Sequence, residues 1–143
     1  MSEREKTMRK HILLADDQQE VRHTITLLLR LDEHTVAEAK DGREALGMFT
    51  QGRFDLVITD YSMPEMRGDE LAANVKLLAP SQPILMLTGS AEMLDGISLP
   101  VDALLRKPFS LGDLRQAIAR LCSTIPVPKE RDFAVGNGAR CRT

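Results

Sequence analysis

The sequence predicts an α/β fold in which five βα units form one doubly wound parallel sheet, written (βα)5. Short apolar runs rich in β-forming residues alternate with segments whose apolar residues recur at helical spacing. Strands that alternate with helices favour parallel pairing through right-handed crossovers. The 143 residues, 43% of them hydrophobic, are enough for one core.

The predicted strands are runs of five or six residues. In order, they cover residues 11–16, 35–39, 55–60, 83–88 and 103–107. The third and fourth runs are apolar almost throughout, which is typical of strands buried on both faces. We therefore expect a five-stranded sheet in the flavodoxin-like strand order 2-1-3-4-5.

The predicted helices lie between these runs, and each keeps apolar residues on one face. Those residues are Val21, Ile25, Leu28 and Leu29, then Ala45, Leu46 and Phe49, then Leu71, Val75 and Leu78, and finally Leu111, Leu114, Ile118 and Leu121. Ser110 precedes the last group and is a good N-cap. The segment from Ser90 to Asp102 is weaker, because Gly96 and Pro100 restrict a helix there to little more than one turn.

Composition divides the chain into one domain and two tails. Residues 10–123 hold all the periodic segments, residues 1–9 form a charged N-terminal tail, and residues 124–143 form a linker-like, disordered tail. The N-terminus lacks the apolar core of a signal peptide, and no run is long enough for membrane insertion. We expect a cytoplasmic protein whose Cys122 and Cys141 are reduced.

The charge balance gives no reason to expect direct binding of nucleic acid. The formal net charge is −2, and four Phe, one Tyr and no Trp leave little for base stacking. His11, His23 and His34 share no metal-ligand spacing and are predicted to lie at the surface. The methionines are expected to pack in the core.

Three carboxylates, those of Asp16, Asp17 and Asp60, lie where the first and third apolar runs end. The carboxyl ends of parallel strands share one edge, and ligands bind there where the strand order reverses. At ~4 Å and an effective dielectric constant of about 20, each like-charged pair costs roughly 4 kcal/mol. Either one carboxylate keeps its proton or a cation neutralises the group. Oxygen ligands of this kind suit Mg²⁺.

The fourth and fifth runs end on a hydroxyl, Thr88, and on an ammonium group, Lys107. A carboxylate can attack phosphorus and form an aspartyl phosphate. That chemistry depends on positioning and on neutralising the phosphoryl oxygens. Lys107, Thr88 and Mg²⁺ could supply those contacts, so the strand ends predict a phosphoryl site.

Four motifs together resemble the receiver domain of two-component response regulators, most closely the stand-alone chemotaxis-regulator type. They are Asp16-Asp17, Asp60 followed by Met63-Pro64 and Gly68, Thr88-Gly89, and Lys107-Pro108-Phe109. The resemblance runs from about residue 10 to residue 122 and keeps the order of all the motifs. Each motif is weak alone, but each of the four ends its own predicted strand.

The resemblance implies a role for each site residue. Asp60 would accept a phosphoryl group from a sensor histidine kinase or a histidine phosphotransfer protein. Asp17, Asp16, Asp60 and the backbone carbonyl of Ser62 would bind Mg²⁺, for which Mn²⁺ could substitute. Thr88 and Lys107 would contact the phosphoryl oxygens, and the Lys107–Pro108 bond would be cis.

The resemblance also implies where partners bind. In the family, the first helix and the loop after the last strand meet the kinase, which corresponds here to Gln18, Gln19, Arg22, His23 and Pro108–Phe109. The downstream protein is unknown. Such a module signals by phosphorylation-dependent binding or by passing the phosphoryl group on, and it catalyses only its own phosphorylation and dephosphorylation.

Two features depart from the family pattern. Leu104 occupies a position that is commonly aromatic in receivers and whose rotation tracks phosphorylation. The stretch between Thr88 and Lys107 is shorter than usual by about one helical turn. We therefore expect output through another surface, or simple transfer of the phosphoryl group.

Other classes remain open alternatives. The chain could be a phosphate-independent interaction module on the same fold, or a fragment of a longer regulator or hybrid kinase. A phosphohydrolase of the haloacid dehalogenase type is less favoured, because Ser62 stands where the general acid would be. A flavodoxin is disfavoured because Asp16-Asp17 would repel a flavin phosphate.

Overall fold

The protein forms a five-stranded parallel sheet with helices on both faces. A computed structural model describes residues 9–89 and 99–122. The strands are β1 (His11–Ala15), β2 (Thr35–Ala39), β3 (Leu56–Asp60), β4 (Ile84–Thr88) and β5 (Ala103–Arg106). The helices in the described ranges are α1 (Gln19–Leu31), α2 (Gly42–Gln51), α3 (Gly68–Leu78) and α4 (Leu111–Leu121). The strand order is β2-β1-β3-β4-β5, as predicted.

The core has two halves because alternate residues of each strand face opposite sides of the sheet. Ile12, Leu14 and Ile58 pack against α1 and α4 on one side. Leu13 and Val57 pack against α2 and α3 on the other. Strands β3 and β4 are buried along their whole length, which confirms the prediction from their apolar runs. The residues at the carboxyl ends of β3 and β4, Asp60 and Thr88, are thus held in buried strands.

The four helices predicted from periodic apolar residues are present, with one error in a predicted apolar face. Leu71 and Val75 are fully buried, but Leu78 is 58% exposed. Leu78 is the last residue of α3, before the chain turns at Ala79. Helical spacing predicts the direction of a side chain around the axis and not how far along the axis its neighbours extend. The predicted N-cap is confirmed, since the Ser110 hydroxyl accepts a hydrogen bond from the Asp113 N–H at 3.0 Å.

The prediction that all three histidines lie at the surface is wrong for His34. His11 and His23 are exposed, but His34 is only 4% exposed. Its Nδ1 accepts a hydrogen bond from the Lys10 N–H at 3.0 Å. The chain reverses at Glu33, whose φ is 68°, and this turn brings His34 to the start of β1. Burial lowers the pKa of His34, with Lys10 adding to this effect and Asp32 opposing it.

Several expectations fall outside the described residues. These are the tails, apart from Arg9, and most of the weak helical segment, residues 90–98. Cys141 also lies outside them, while Cys122 is a free thiol. None of the helices within residues 9–89 and 99–122 is long and apolar enough to cross a membrane.

Candidate functional site

The three predicted carboxylates meet at the carboxyl edge of the sheet. β1 pairs directly with β3, with Ala15 opposite Thr59. The residues that follow this pair, Asp16 and Asp60, therefore lie side by side, with Asp17 next to them. Each of the three carboxylates offers an oxygen, and these oxygens all lie within 4.8 Å of one another. Asp16 and Asp60 are buried, and Asp17 is exposed.

The carboxylate of Asp16 has one satisfied oxygen and one that accepts no hydrogen bond. Oδ1 accepts from the Gln18 N–H at 2.9 Å. Oδ2 is buried and has no hydrogen-bond partner among the described residues; the Lys107 Nζ lies 3.5 Å from it. A buried oxygen of this kind normally has a partner. Together with the neighbouring carboxylates, it fits a hard divalent cation with oxygen ligands such as Mg²⁺.

Lys107 brings a positive charge to the cluster from the other side. Its Nζ lies 3.0 Å from Oδ1 of Asp60. The Lys107 N–H donates to the Thr88 carbonyl at 2.7 Å, so the end of β5 is fixed to the end of β4. The peptide bond between Lys107 and Pro108 is cis, which agrees with the expectation from the sequence. One ammonium group thus faces three carboxylates, which leaves the site negatively charged when all are ionised.

The environment of Asp60 disfavours its ionised form. Burial is the main cause of its raised pKa, the charges of Asp16 and Asp17 add to it, and Lys107 opposes it. The charged carboxylate has lost water and gained like-charged neighbours. A bound cation would offset both effects, which is a second reason why this donor set fits a metal ion.

Thr88 and Ser62 were also predicted to belong to the site. Thr88 ends β4 and is buried, one residue beyond Leu87, which pairs with Asp60. It therefore lies at the same edge of the sheet as the carboxylates. Ser62 is exposed, two residues after Asp60. The roles proposed for the Thr88 hydroxyl and the Ser62 carbonyl stay predictions.

The close packing of Gly68 was not foreseen from the sequence, although this residue was part of the motif. A Cβ atom there would lie 2.1 Å from the backbone oxygen of Asp60. The Gly68 N–H donates to the Tyr61 carbonyl at 2.8 Å. The start of α3 thus lies directly against the chain that carries Asp60, and only glycine fits there. The available signal was a glycine a few residues after Asp60, just before the apolar positions of the next predicted helix.

A second feature missed from the sequence is an ion pair beside Asp16. The Arg22 guanidinium contacts the Asp16 carbonyl at 2.8 Å and the Glu38 carboxylate at 2.9 Å. A charged residue inside the apolar run at residues 35–39 was the available signal for such a partner. The expected contact of Arg22 with a kinase stays a prediction.

A groove leads along the surface to Lys107. It has a volume of about 660 Å³ and is lined by α1 and by the loop after β5, including Val21, Ile25, Leu28 and Phe109. Its wall is mainly apolar, and Lys107 and Glu20 are its charged residues. Of the residues predicted to meet a kinase, only Pro108 and Phe109 line the groove.

Comparison with known proteins agrees with this geometry. A family model of the response regulator receiver domain matches residues 12–119. The chain belongs to this family. Chemotaxis protein CheY-3 of Vibrio cholerae is 33% identical over 116 residues, which cover 77% of this chain and 89% of CheY-3. Response regulator MprA of Mycolicibacterium vanbaalenii is 35% identical over 106 residues, or 72% of this chain but only 46% of MprA.

Solved receiver structures share the fold. The response regulator TrrA from Thermotoga maritima, in complex with Mg²⁺ and BeF, has a TM-score of 0.74 and 29% identity, covering 78% of this chain and 98% of TrrA. CheY4 of Vibrio cholerae has a TM-score of 0.72 and 31% identity, covering 79% of this chain and 98% of CheY4. The resemblance inferred from the four motifs is confirmed. The chain is a receiver domain of two-component signal transduction, a family that interacts with histidine kinases and binds Mg²⁺ at an acidic pocket.

Proposed function

We propose that this receiver accepts a phosphoryl group onto Asp60 from a phosphohistidine of a sensor kinase or histidine phosphotransfer protein. The observation that carries the proposal is the position of Asp60 between the ammonium group of Lys107 and two other carboxylates. Its Oδ1 lies 3.0 Å from the Lys107 Nζ, and its carboxylate shares a 4.8 Å cluster with Asp16 and Asp17. Both a cation and a phosphoryl group can be bound at such a point.

The transfer needs little from the protein beyond position and charge. An oxygen of the Asp60 carboxylate attacks phosphorus, the new O–P bond forms as the N–P bond breaks, and the imidazole leaves with the bonding electron pair. Lys107 stabilises the charge on the equatorial oxygens, and the Thr88 hydroxyl donates to one of them. Mg²⁺, when bound by Asp16, Asp17, Asp60 and the Ser62 carbonyl, neutralises the remaining charge. Mn²⁺ has the same preference for oxygen ligands and should substitute.

The apolar groove is the proposed docking surface for the donor. Val21 and Leu28 are partly buried and lie at helical spacing with the buried Ile25, and Phe109 also lines the groove. A helix that carries the phosphohistidine could lie in this groove with its imidazole near Lys107. A histidine kinase with a cytoplasmic phosphohistidine would place this encounter in the cytoplasm.

The proposed output is binding of a downstream protein, or transfer of the phosphoryl group, without an enzymatic reaction on other substrates. Ser62 lies where a phosphohydrolase of the haloacid dehalogenase type would need a general acid. Leu104, at the position usually aromatic in receivers, is 44% exposed. An aliphatic side chain there favours output that does not depend on an aromatic rotation.

The test is the intact mass of the protein after incubation with acetyl phosphate and Mg²⁺. One phosphoryl adduct is expected, which EDTA prevents, Mn²⁺ restores and Asp60→Asn abolishes. Asp55→Asn is the matched control, because Asp55 lies just before the amino end of the same strand and should not alter the adduct. An adduct that persists in Asp60→Asn would contradict the assignment. No adduct at all, with no binding of beryllofluoride, would favour a phosphate-independent interaction module.

A further inference from the structure

The Arg22 side chain connects the end of β1 to β2 beside the acid cluster. One guanidinium nitrogen donates to the Asp16 backbone oxygen at 2.8 Å. The Nε of the same group donates to the Glu38 carboxylate at 2.9 Å. The Arg22 and Glu38 side chains are 15% and 29% exposed. Charge-assisted hydrogen bonds that are partly shielded from water hold their geometry well.

Both backbone polar groups of Asp16 are thereby attached to β2. The Asp16 N–H donates directly to the Ala39 carbonyl at 3.1 Å. The Asp16 carbonyl is held indirectly, through Arg22 and Glu38. That carbonyl belongs to the planar peptide group that joins Asp16 to Asp17, so its direction also sets the direction of the Asp17 nitrogen. The arrangement of both acids therefore depends on the position of the Arg22 guanidinium.

We propose that Arg22, held by Glu38, is a positioning residue that fixes the Asp16–Asp17 peptide and so maintains the Mg²⁺ affinity of the site. This inference rests on the proposed function. Arg22 is not among the residues proposed to hold the cation or the phosphoryl group; it would act through the backbone of Asp16. Residues that orient metal ligands in this way typically change metal affinity by about 10–100-fold when they are replaced.

The direction in which Mg²⁺ affinity changes when Arg22 is removed separates a positioning role from a simple electrostatic one. Arg22 is a cation close to a site for a cation, so its charge alone weakens Mg²⁺ binding. If charge were its only influence, removing it would tighten binding. If it positions the acids, removing it weakens binding.

The experiment is calorimetric titration of Mg²⁺ into the 143-residue protein and its variants. Arg22→Met, which keeps the length of the side chain but donates no hydrogen bond, is expected to raise the dissociation constant roughly tenfold. Arg22→Lys keeps the charge but lacks the planar fork that reaches both partners, so it is also expected to bind more weakly. If only the charge of Arg22 mattered, Arg22→Lys would leave the dissociation constant unchanged.

A double variant tests whether the two side chains act as one unit. Glu38→Leu leaves Arg22 without its anchor and is expected to weaken Mg²⁺ binding. Arg22→Met combined with Glu38→Leu should be no weaker than Arg22→Met alone, because each single change already breaks the same link. Additive effects would overturn the proposed coupling.

Arg115→Met is the matched control, because Arg115 makes a similar pair with Asp32, at 2.8 Å, where α1 ends. This variant is expected to retain the wild-type Mg²⁺ affinity. Unchanged or tighter Mg²⁺ binding by Arg22→Met would overturn the inference. If Arg22→Met does not fold, unchanged Mg²⁺ binding by Arg22→Lys would overturn it instead. A wild-type protein that binds no Mg²⁺ would instead contradict the proposed function.

Discussion

The two edges of the sheet use carboxylates in opposite ways. At the amino edge, Asp55 accepts a hydrogen bond from the His11 N–H at 2.8 Å. Asp102 there accepts from the Ile84 N–H and from Lys76, both at 2.8 Å. At the carboxyl edge, the carboxylates of Asp16 and Asp60 are buried close together, and Oδ2 of Asp16 has no hydrogen-bond partner among the described residues.

This contrast separates acids that stabilise the fold from acids that we propose bind a ligand. An acid that caps the N–H groups at the start of a strand lowers the free energy of the folded state. Acids that repel one another in a buried cluster raise it, and natural proteins tolerate that cost mainly at functional sites. The acids at the amino edge are therefore satisfied by hydrogen bonds within the fold, while those at the carboxyl edge form a donor set that fits a cation.

We expect the largest effect from a substitution at Gly68, which packs against the chain at Asp60 on the carboxyl edge. Gly68→Ala places a Cβ atom 2.1 Å from the Asp60 oxygen. The loop after β3 must move, which should cost about 1–3 kcal/mol of the free energy of unfolding and reduce formation of the phosphoryl adduct. Urea unfolding and intact mass measure the two effects.

Gly47→Ala is the control for that substitution. Nothing lies within 4 Å of a Cβ atom at Gly47, and this residue is inside α2, so alanine should stabilise the protein by roughly 0.5–1 kcal/mol. Equal effects of the two alanines would show that the packing at Gly68 is unimportant.

Removing one acid from each edge should affect stability and Mg²⁺ affinity differently. Asp102→Ala loses the hydrogen bonds to Ile84 and Lys76 and should destabilise the protein by about 1–3 kcal/mol, with Mg²⁺ affinity unchanged. Asp60→Asn removes a buried, repelled charge and should leave the protein at least as stable in Mg²⁺-free buffer, with Mg²⁺ affinity greatly reduced. Urea unfolding in EDTA and Mg²⁺ titration separate the two. Loss of stability in both variants would break the contrast between the edges.

The sequence predicted which acids converge better than it predicted the side-chain contacts between elements, for a physical reason. Parallel pairing fixes where strands end, so acids at the ends of neighbouring strands must converge; Asp16, Asp17 and Asp60 followed from that rule. The burial of His34 and the pairing of Arg22 with Glu38 depend on how far side chains reach between elements. The spacing of apolar residues along a helix or a strand carries no information about that distance. The exposure of Leu78 was not predicted for the same reason.

The smallest expected effect is on how the free energy of unfolding depends on pH. A titrating group at each edge should change it in opposite directions. The folded-state pKa of His34 lies below its ordinary value of 6.5. Its contribution to stability is therefore present above about pH 6.5 and is lost as the pH falls through the folded-state pKa. The folded-state pKa of Asp60 lies above its ordinary value of 3.8. Its contribution is present below about pH 3.8 and is lost as the pH rises through the folded-state pKa.

Urea unfolding of the wild type and two variants between about pH 4 and pH 7.5 separates these contributions. His34→Gln keeps an acceptor for the Lys10 N–H but does not titrate, so it should remove the loss of stability on acidification below pH 6.5. Asp60→Asn should remove the loss of stability as the pH rises. Each group changes the slope by at most about 1.4 kcal/mol per pH unit. A wild-type profile that His34→Gln leaves unaltered would mean that the buried imidazole at the amino edge does not couple protonation to folding.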